Sequence, residues 1–222
     1  MLRYPCLVLD HDDTVVQSEA TVNYPFFVEY LKIYRPGMTI TAHEYISGCY
    51  APGYIEMCRQ RFGFSDEELA HEYNAWKTHI KTTVPAPYPG IGSLLRRYKD
   101  AGGIIVVSSQ SAQENILRDY RTHFGLEPDE IFGWDLPAHH RKPSTYALDQ
   151  TMAKYGFSKE ELLVMDDMKP AVKMARDAGC AIAFAGWGRK EFPVICKEME
   201  ELCDHSFYST EAFEKFLFDA KE

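Results

Sequence analysis

The chain has 222 residues, 45% hydrophobic and 26% charged, with no low-complexity segment; this specifies a folded protein with a substantial apolar interior and excludes a disulfide-stapled mini-protein, a disordered tail and a collagen-like repeat. The net charge of −9 repels a polyanion, so nucleic acid is not an expected partner. No apolar run approaches the ~20 residues of a membrane span, and the N-terminus enters a strand-like run without a signal-peptide layout, which predicts no membrane partner and a cytoplasmic protein.

The first predicted element is the apolar run Cys6–Leu9, which ends abruptly in three carboxylates, Asp10, Asp12 and Asp13. Like charges this close repel, and desolvation penalises them further, so the stretch reads either as a solvated acidic turn or as a cation site. Asp10 and Asp12 share one side of an extended chain, with His11 and Asp13 on the other. About ninety residues then pass before the next comparable run, too many for one crossover in a compact domain, so a unit is inserted there. It reads helical. Thr41 with Glu44, and Ser65 with Glu68, have capping-box spacing. Tyr24, Phe27, Val28 and Leu31 keep a helical interval, as do Leu69, Tyr73 and Trp76, and both sets are expected as core-facing stripes. The Pro85–Gly90 cluster marks the return hinge, and an exit just after Val16 would let the two connections run side by side.

The second apolar run, Ile104–Val107, leads into Ser108 and Ser109, hydroxyls that locally read as a cap for the following helix and whose helix amides could hold an anion. Next comes His139-His140-Arg141-Lys142-Pro143, by itself a surface basic patch. The adjacent histidines splay apart in an extended segment and lack partners at ligand spacing, so no metal is expected there. The run Leu162–Met165 ends in Asp166 and Asp167, and a fourth run spans Ala181–Ala185. Four continuous runs separated by helical or loop-rich sequence predict an α/β fold around a parallel sheet, because strands buried on both faces lose polar alternation and parallel neighbours need crossovers. Ligands of such sheets bind at the carboxyl ends of the strands, where two acidic ends side by side suit Mg²⁺. The six cysteines form no Cys-x-x-Cys pair and read as reduced, buried thiols.

Taken in order, these segments resemble the haloacid dehalogenase-like hydrolase superfamily. Its first motif, Asp-x-Asp-x-Thr, is matched by Asp10, Asp12 and Thr14; its second, a Ser or Thr after an apolar strand, by Ser108; its third by Lys142 in Lys-Pro; and its acidic fourth by Asp166 and Asp167. Tyr88-Pro89-Gly90 through Ala101-Gly102, Ala178-Gly179 and Gly186-Trp187-Gly188 resemble the phosphoglycolate phosphatase and β-phosphoglucomutase branch. The resemblance covers most of the chain and implies a Rossmann-like core, residues 1–16 and 87–222, with a helical cap over 17–86.

The resemblance further implies a Mg²⁺-dependent phosphatase acting on a small phosphorylated metabolite. Asp10 would be the nucleophile that forms an aspartyl-phosphate, and Asp12 the general acid and base. Mg²⁺ would be held by Asp10, the Asp12 carbonyl and Asp166, with Asp167 as the nearest supporting acid. Ser108, with Ser109 beside it, and Lys142 would hold the phosphoryl oxygens, and Thr14 would brace that loop through its hydroxyl. Asp12 favours phosphate esters over carbon–halogen or phosphonate bonds. A phosphomutase would use the same acids, and a catalytically silent module binding Mg²⁺ and a phosphometabolite is the reading from another class. Asp13 stands where most members have Gly, Met165 where many have Gly, and Pro170 where many have a further Asp. Substrate choice is expected to lie in the cap as it closes and excludes water.

Overall fold

The computed structural model describes residues 2–219 of the chain. Six parallel strands, β1 (Cys6–Leu9), β2 (Ile104–Ser108), β3 (Glu130–Phe132), β4 (Leu162–Asp166), β5 (Ala181–Ala185) and β6 (His205–Phe207), form one sheet in the order β3-β2-β1-β4-β5-β6. The four predicted apolar runs supply its four central strands, and the edge strands β3 and β6 have three residues each, too few for a hydrophobic period to show.

The described residues also form the α-helices α1 (Tyr24–Tyr34), α2 (Ala42–Gly48), α3 (Tyr54–Phe62), α4 (Asp66–His79), α5 (Ile91–Asp100), α6 (Gln113–Phe124), α7 (Tyr146–Tyr155), α8 (Lys169–Ala178), α9 (Pro193–Leu202) and α10 (Thr210–Phe218). The chain divides into two compact units, Met1–Val16 with Pro87–Glu222, and Gln17–Ala86.

In the first unit Leu7, Leu9, Ile105, Val107, Leu163 and Met165 project from one sheet face into a buried cluster with Ile91, Leu94 and Leu95 of α5, Ile116 and Tyr120 of α6, and Phe213 and Leu217 of α10. Helix α8 packs on β4 and β5 and meets α7, and its Ala171, Met174 and Ala175 are buried outside that cluster. Both sheet faces are therefore covered, the arrangement that continuous apolar strands require. None of the six cysteines is in a disulfide; Cys6, Cys58 and Cys180 are buried as expected, and Cys49, Cys196 and Cys203 are half-buried. Among the described residues no helix is long and apolar enough to cross a membrane.

The second unit holds α1 to α4. Both anticipated capping boxes form, Thr41 with Glu44 and Ser65 with Glu68. Phe27 is its packing centre, with ring centroids 5.3 Å from Tyr45 and 5.4 Å from Phe62. The α4 stripe differs from expectation: Tyr73 is exposed, and the buried residue of α4 is Glu72, which falls between Leu69 and Trp76 at helical spacing. Glu72 is tolerated inside because the Tyr54 hydroxyl donates to it, while burial raises its pKa to about 7.

A carboxyl raised in the folded state stabilises below its unfolded value and loses that contribution as pH climbs through the folded one. The folded protein should thus lose up to about 3 kcal/mol between roughly pH 4.5 and 7 from this group. Glu72→Gln keeps an acceptor for Tyr54 and should flatten that slope; urea unfolding of both proteins at pH 5 and pH 8 measures it, and equal slopes would remove Glu72 as its source.

Candidate active site

The register of the sheet builds the site. Leu9 pairs with Met165 on one side and Val107 on the other, so the residues that follow, Asp10, Asp166 and Ser108, stand at one level at the ends of three adjacent strands. Asp10 N still donates to Met165 O at 2.8 Å. Beyond it the chain folds into a tight loop in which His11 O accepts from Val15 N at 2.9 Å and Val16 N at 3.1 Å, and Val16 O accepts from Asp13 N at 2.7 Å. Asp13 turns the loop with φ 53°, a left-handed conformation that Asp adopts more readily than most residues. His11 points the other way and is buried, its Nε2 3.1 Å from Asp119 Oδ2 on α6. Asp119 Oδ1 also accepts from Arg118 Nε at 2.7 Å.

Four strand-end acids meet two buried cations. Lys142 Nζ donates to Asp10 Oδ1 at 2.7 Å and to Asp166 Oδ2 at 2.6 Å. Arg189 Nε donates to Asp167 Oδ2 at 2.9 Å, and its Nη2 bonds both Asp167 Oδ2 and Asp13 Oδ2, the latter at 3.0 Å. Asp10, Asp166 and Asp167 are all buried and offer carboxylate oxygens within 4.8 Å of one another. Asp166 Oδ1 also accepts from Met168 N at 2.8 Å, just before α8, whose first turn takes Pro170 without strain. Met165, at the position where many members have Gly, fills the core beneath.

Burial pushes the Asp10 carboxyl well above the ordinary range; Lys142 pulls it back only in part, and Asp166, Asp12 and Asp167 push it further. Asp166 is raised by the same desolvation, against the pull of Lys142. Burial alone would lower the Lys142 ammonium, yet Asp10 and Asp166 outweigh it and hold it above its usual value. Two cations against this many carboxylates leave negative charge in excess, and a set of buried, closely spaced hard oxygens is what a Mg²⁺ ion requires of its donors. The residues present fit that ion.

Asp12 lies apart from the buried triad and is only partly covered. Its Oδ2 accepts from Ser111 Oγ at 2.6 Å and Ser109 Oγ at 3.3 Å. The Ser108 and Thr14 hydroxyls have different surroundings. Ser108 is still in the strand, and its buried hydroxyl faces Met174 Sδ of α8 at 4.0 Å; Ser109 and Ser111, past the strand end where the chain bends over the sheet, are the hydroxyls beside the acidic loop. The Thr14 hydroxyl is buried without a hydrogen-bond partner, and the bracing contact runs instead through its backbone carbonyl, which accepts from Trp187 Nε1 at 3.1 Å.

Ser111 and Arg189 were not anticipated. The Ser-x-Ser spacing of Ser109 and Ser111 was a usable signal for the first, since residues two apart return to one side. For the second, the signal was the surplus charge of Asp13 itself, which a buried site must neutralise.

Residues 7–185 match the family model described as haloacid dehalogenase-like hydrolase. The chain belongs to that family. No curated protein matches this hydrolase. Among solved structures it is similar to a candidate haloacid dehalogenase-like hydrolase from Bacteroides fragilis, with 19% identity, TM-score 0.76 and coverage of 95% of this chain and 99% of that one. A candidate phosphoglycolate phosphatase from Lactobacillus plantarum has 18% identity and TM-score 0.74, covering 97% and 100%. CbbY from Rhodobacter sphaeroides, solved as a mutant in complex with xylulose-1,5-bisphosphate, has 19% identity and TM-score 0.69, covering 94% and 95%. At these identities the likeness establishes the hydrolase's fold.

Proposed function

We propose that this hydrolase is a Mg²⁺-dependent phosphatase that releases phosphate from a small phosphorylated metabolite through an aspartyl-phosphate on Asp10. The observation that carries the proposal is Lys142 Nζ bridging Asp10 and Asp166 at 2.7 and 2.6 Å, beside a separate, partly exposed Asp12 aimed by two serine hydroxyls. That is a nucleophile, a cation for the phosphoryl oxygens and an acid–base group in one place, the set phosphoryl transfer needs.

In the first step an Asp10 carboxylate oxygen forms a bond to phosphorus as the bond to the ester oxygen breaks, and Asp12 gives that departing oxygen its proton. In the second, Asp12 takes a proton from water, whose oxygen attacks phosphorus and frees the Asp10 carboxylate with inorganic phosphate. Lys142 stabilises the oxygens that gain charge, and the Ser109 and Ser111 hydroxyls fix which Asp12 oxygen faces the reaction. Asp10, Asp166 and Asp167 would hold Mg²⁺, with the Asp12 carbonyl by family resemblance; once bound, the ion supplies positive charge that lets an anionic carboxylate approach an anionic phosphoryl group. The solved CbbY complex with a sugar bisphosphate supports a phosphorylated small molecule as the substrate class.

The test is phosphate release from p-nitrophenyl phosphate, sugar phosphates, phosphoglycolate and nucleotides, with Mg²⁺ and with excess chelator. Turnover that requires Mg²⁺ is expected; no turnover on any ester would overturn the assignment.

A further inference from the structure

Resting on the Mg²⁺ site proposed above, we infer that Arg189 is a positioning residue: a built-in counter-cation that pairs with Asp13 and, by bonding one oxygen of Asp167, tunes how strongly the acidic site draws a divalent ion.

Arg189 is buried, with 5% of its surface exposed, as are Asp13 at 3% and Asp167 at 1%. An arginine is rarely buried unless paired, and this one spans two acids from different loops in a fork that Lys could not reproduce. Its loop is fixed on every side. Arg189 O accepts from Cys196 Sγ at 3.1 Å, Trp187 Nε1 reaches the Thr14 carbonyl at 3.1 Å, and Tyr88 Oη donates to Asp13 Oδ1 at 3.4 Å. A Cβ on Gly188 would stand 2.1 Å from Tyr88 Oη, so a side chain there would displace the tyrosine that bonds Asp13.

The consequence is electrostatic. Asp167 belongs to the buried triad suited to a metal, but its Oδ2 is already engaged by Arg189, so the cation shares this carboxylate with any ion that binds. Asp13 offsets the charge that Arg189 brings. Asp13 and Arg189 therefore act on the site with opposite signs: one attracts a divalent cation and the other repels it, across a poorly screened interior.

The test titrates chelator-treated protein with Mg²⁺ alone by calorimetry, supported by Mg²⁺-dependent thermal shifts. Asp13→Asn keeps a residue that accepts left-handed backbone, and it should weaken Mg²⁺ binding by about threefold or more because Arg189 is left less balanced. Arg189→Met should tighten it by a similar factor while lowering the melting temperature without metal. Arg189→Lys, which retains the charge, should return Kd toward wild type. A merely structural role would move both single variants in the same direction. If wild type binds Mg²⁺ but the two variants shift together, or neither shifts, this inference is overturned alone; if Arg189→Met does not fold, an unchanged Kd in Asp13→Asn still overturns it. A wild type that binds no Mg²⁺ overturns the proposed function as well.

Discussion

Asp10→Asn abolishes Mg²⁺-dependent phosphate release, with a residual rate at least ~10³-fold below wild type, because the amide can neither attack phosphorus nor offer a metal an anionic oxygen. The fold is expected to survive. Burial disfavours the ionised form of Asp10, and Asn removes that penalty in nearly the same volume. Lys142 keeps Asp166 as its partner at 2.6 Å, so no cation is stranded, a situation that in a buried pair would cost about 3–5 kcal/mol. A single-turnover assay and a melting curve in chelator check the two halves together. A variant that melts like wild type yet retains a tenth of its rate would remove Asp10 from the nucleophile's role.

Asp12→Ala lowers kcat by at least ~10²-fold, with little change in KM, since a general acid and base acts on the leaving oxygen and the water more than on the bound ground state. Ser109 and Ser111 lose their shared acceptor, but Asp12 and Ser111 are only partly covered, so water can replace the carboxylate there. The defect should also depend on the leaving group: esters of acidic phenols need less protonation and should suffer less than alkyl phosphates. Steady-state kinetics on both ester types measures this. An effect confined to KM, or equal for both esters, would contradict the acid–base assignment.

Much of the site is readable from strand ends. Asp10 and Asp166 each close a continuous apolar run, and a parallel sheet leaves such residues at one edge whatever the neighbouring helices do. Lys142 stood out only by its place in Lys-Pro between the second and third runs; nothing local distinguishes a lysine that bridges two carboxylates from one in solvent. Ser108 shows the limit of a motif read as a string. Ser108 and Ser109 are chemically alike, and which hydroxyl reaches Asp12 depends on where the strand stops and the chain bends.

The sequence by itself determined the central strands β1, β2, β4 and β5, the capping boxes at Thr41 and Ser65, and the crowding of acids at two strand ends, because hydrophobic period, cap chemistry and like-charge repulsion are local properties. It left undecided the short edge strands β3 and β6, the turning of Glu72 rather than Tyr73 into the helical unit, and the partner of each buried charge. Those were settled only by tertiary structure. A buried ion is tolerated according to what meets it in space, and Arg189, 176 positions from Asp13, meets it only once the sheet has brought their loops together.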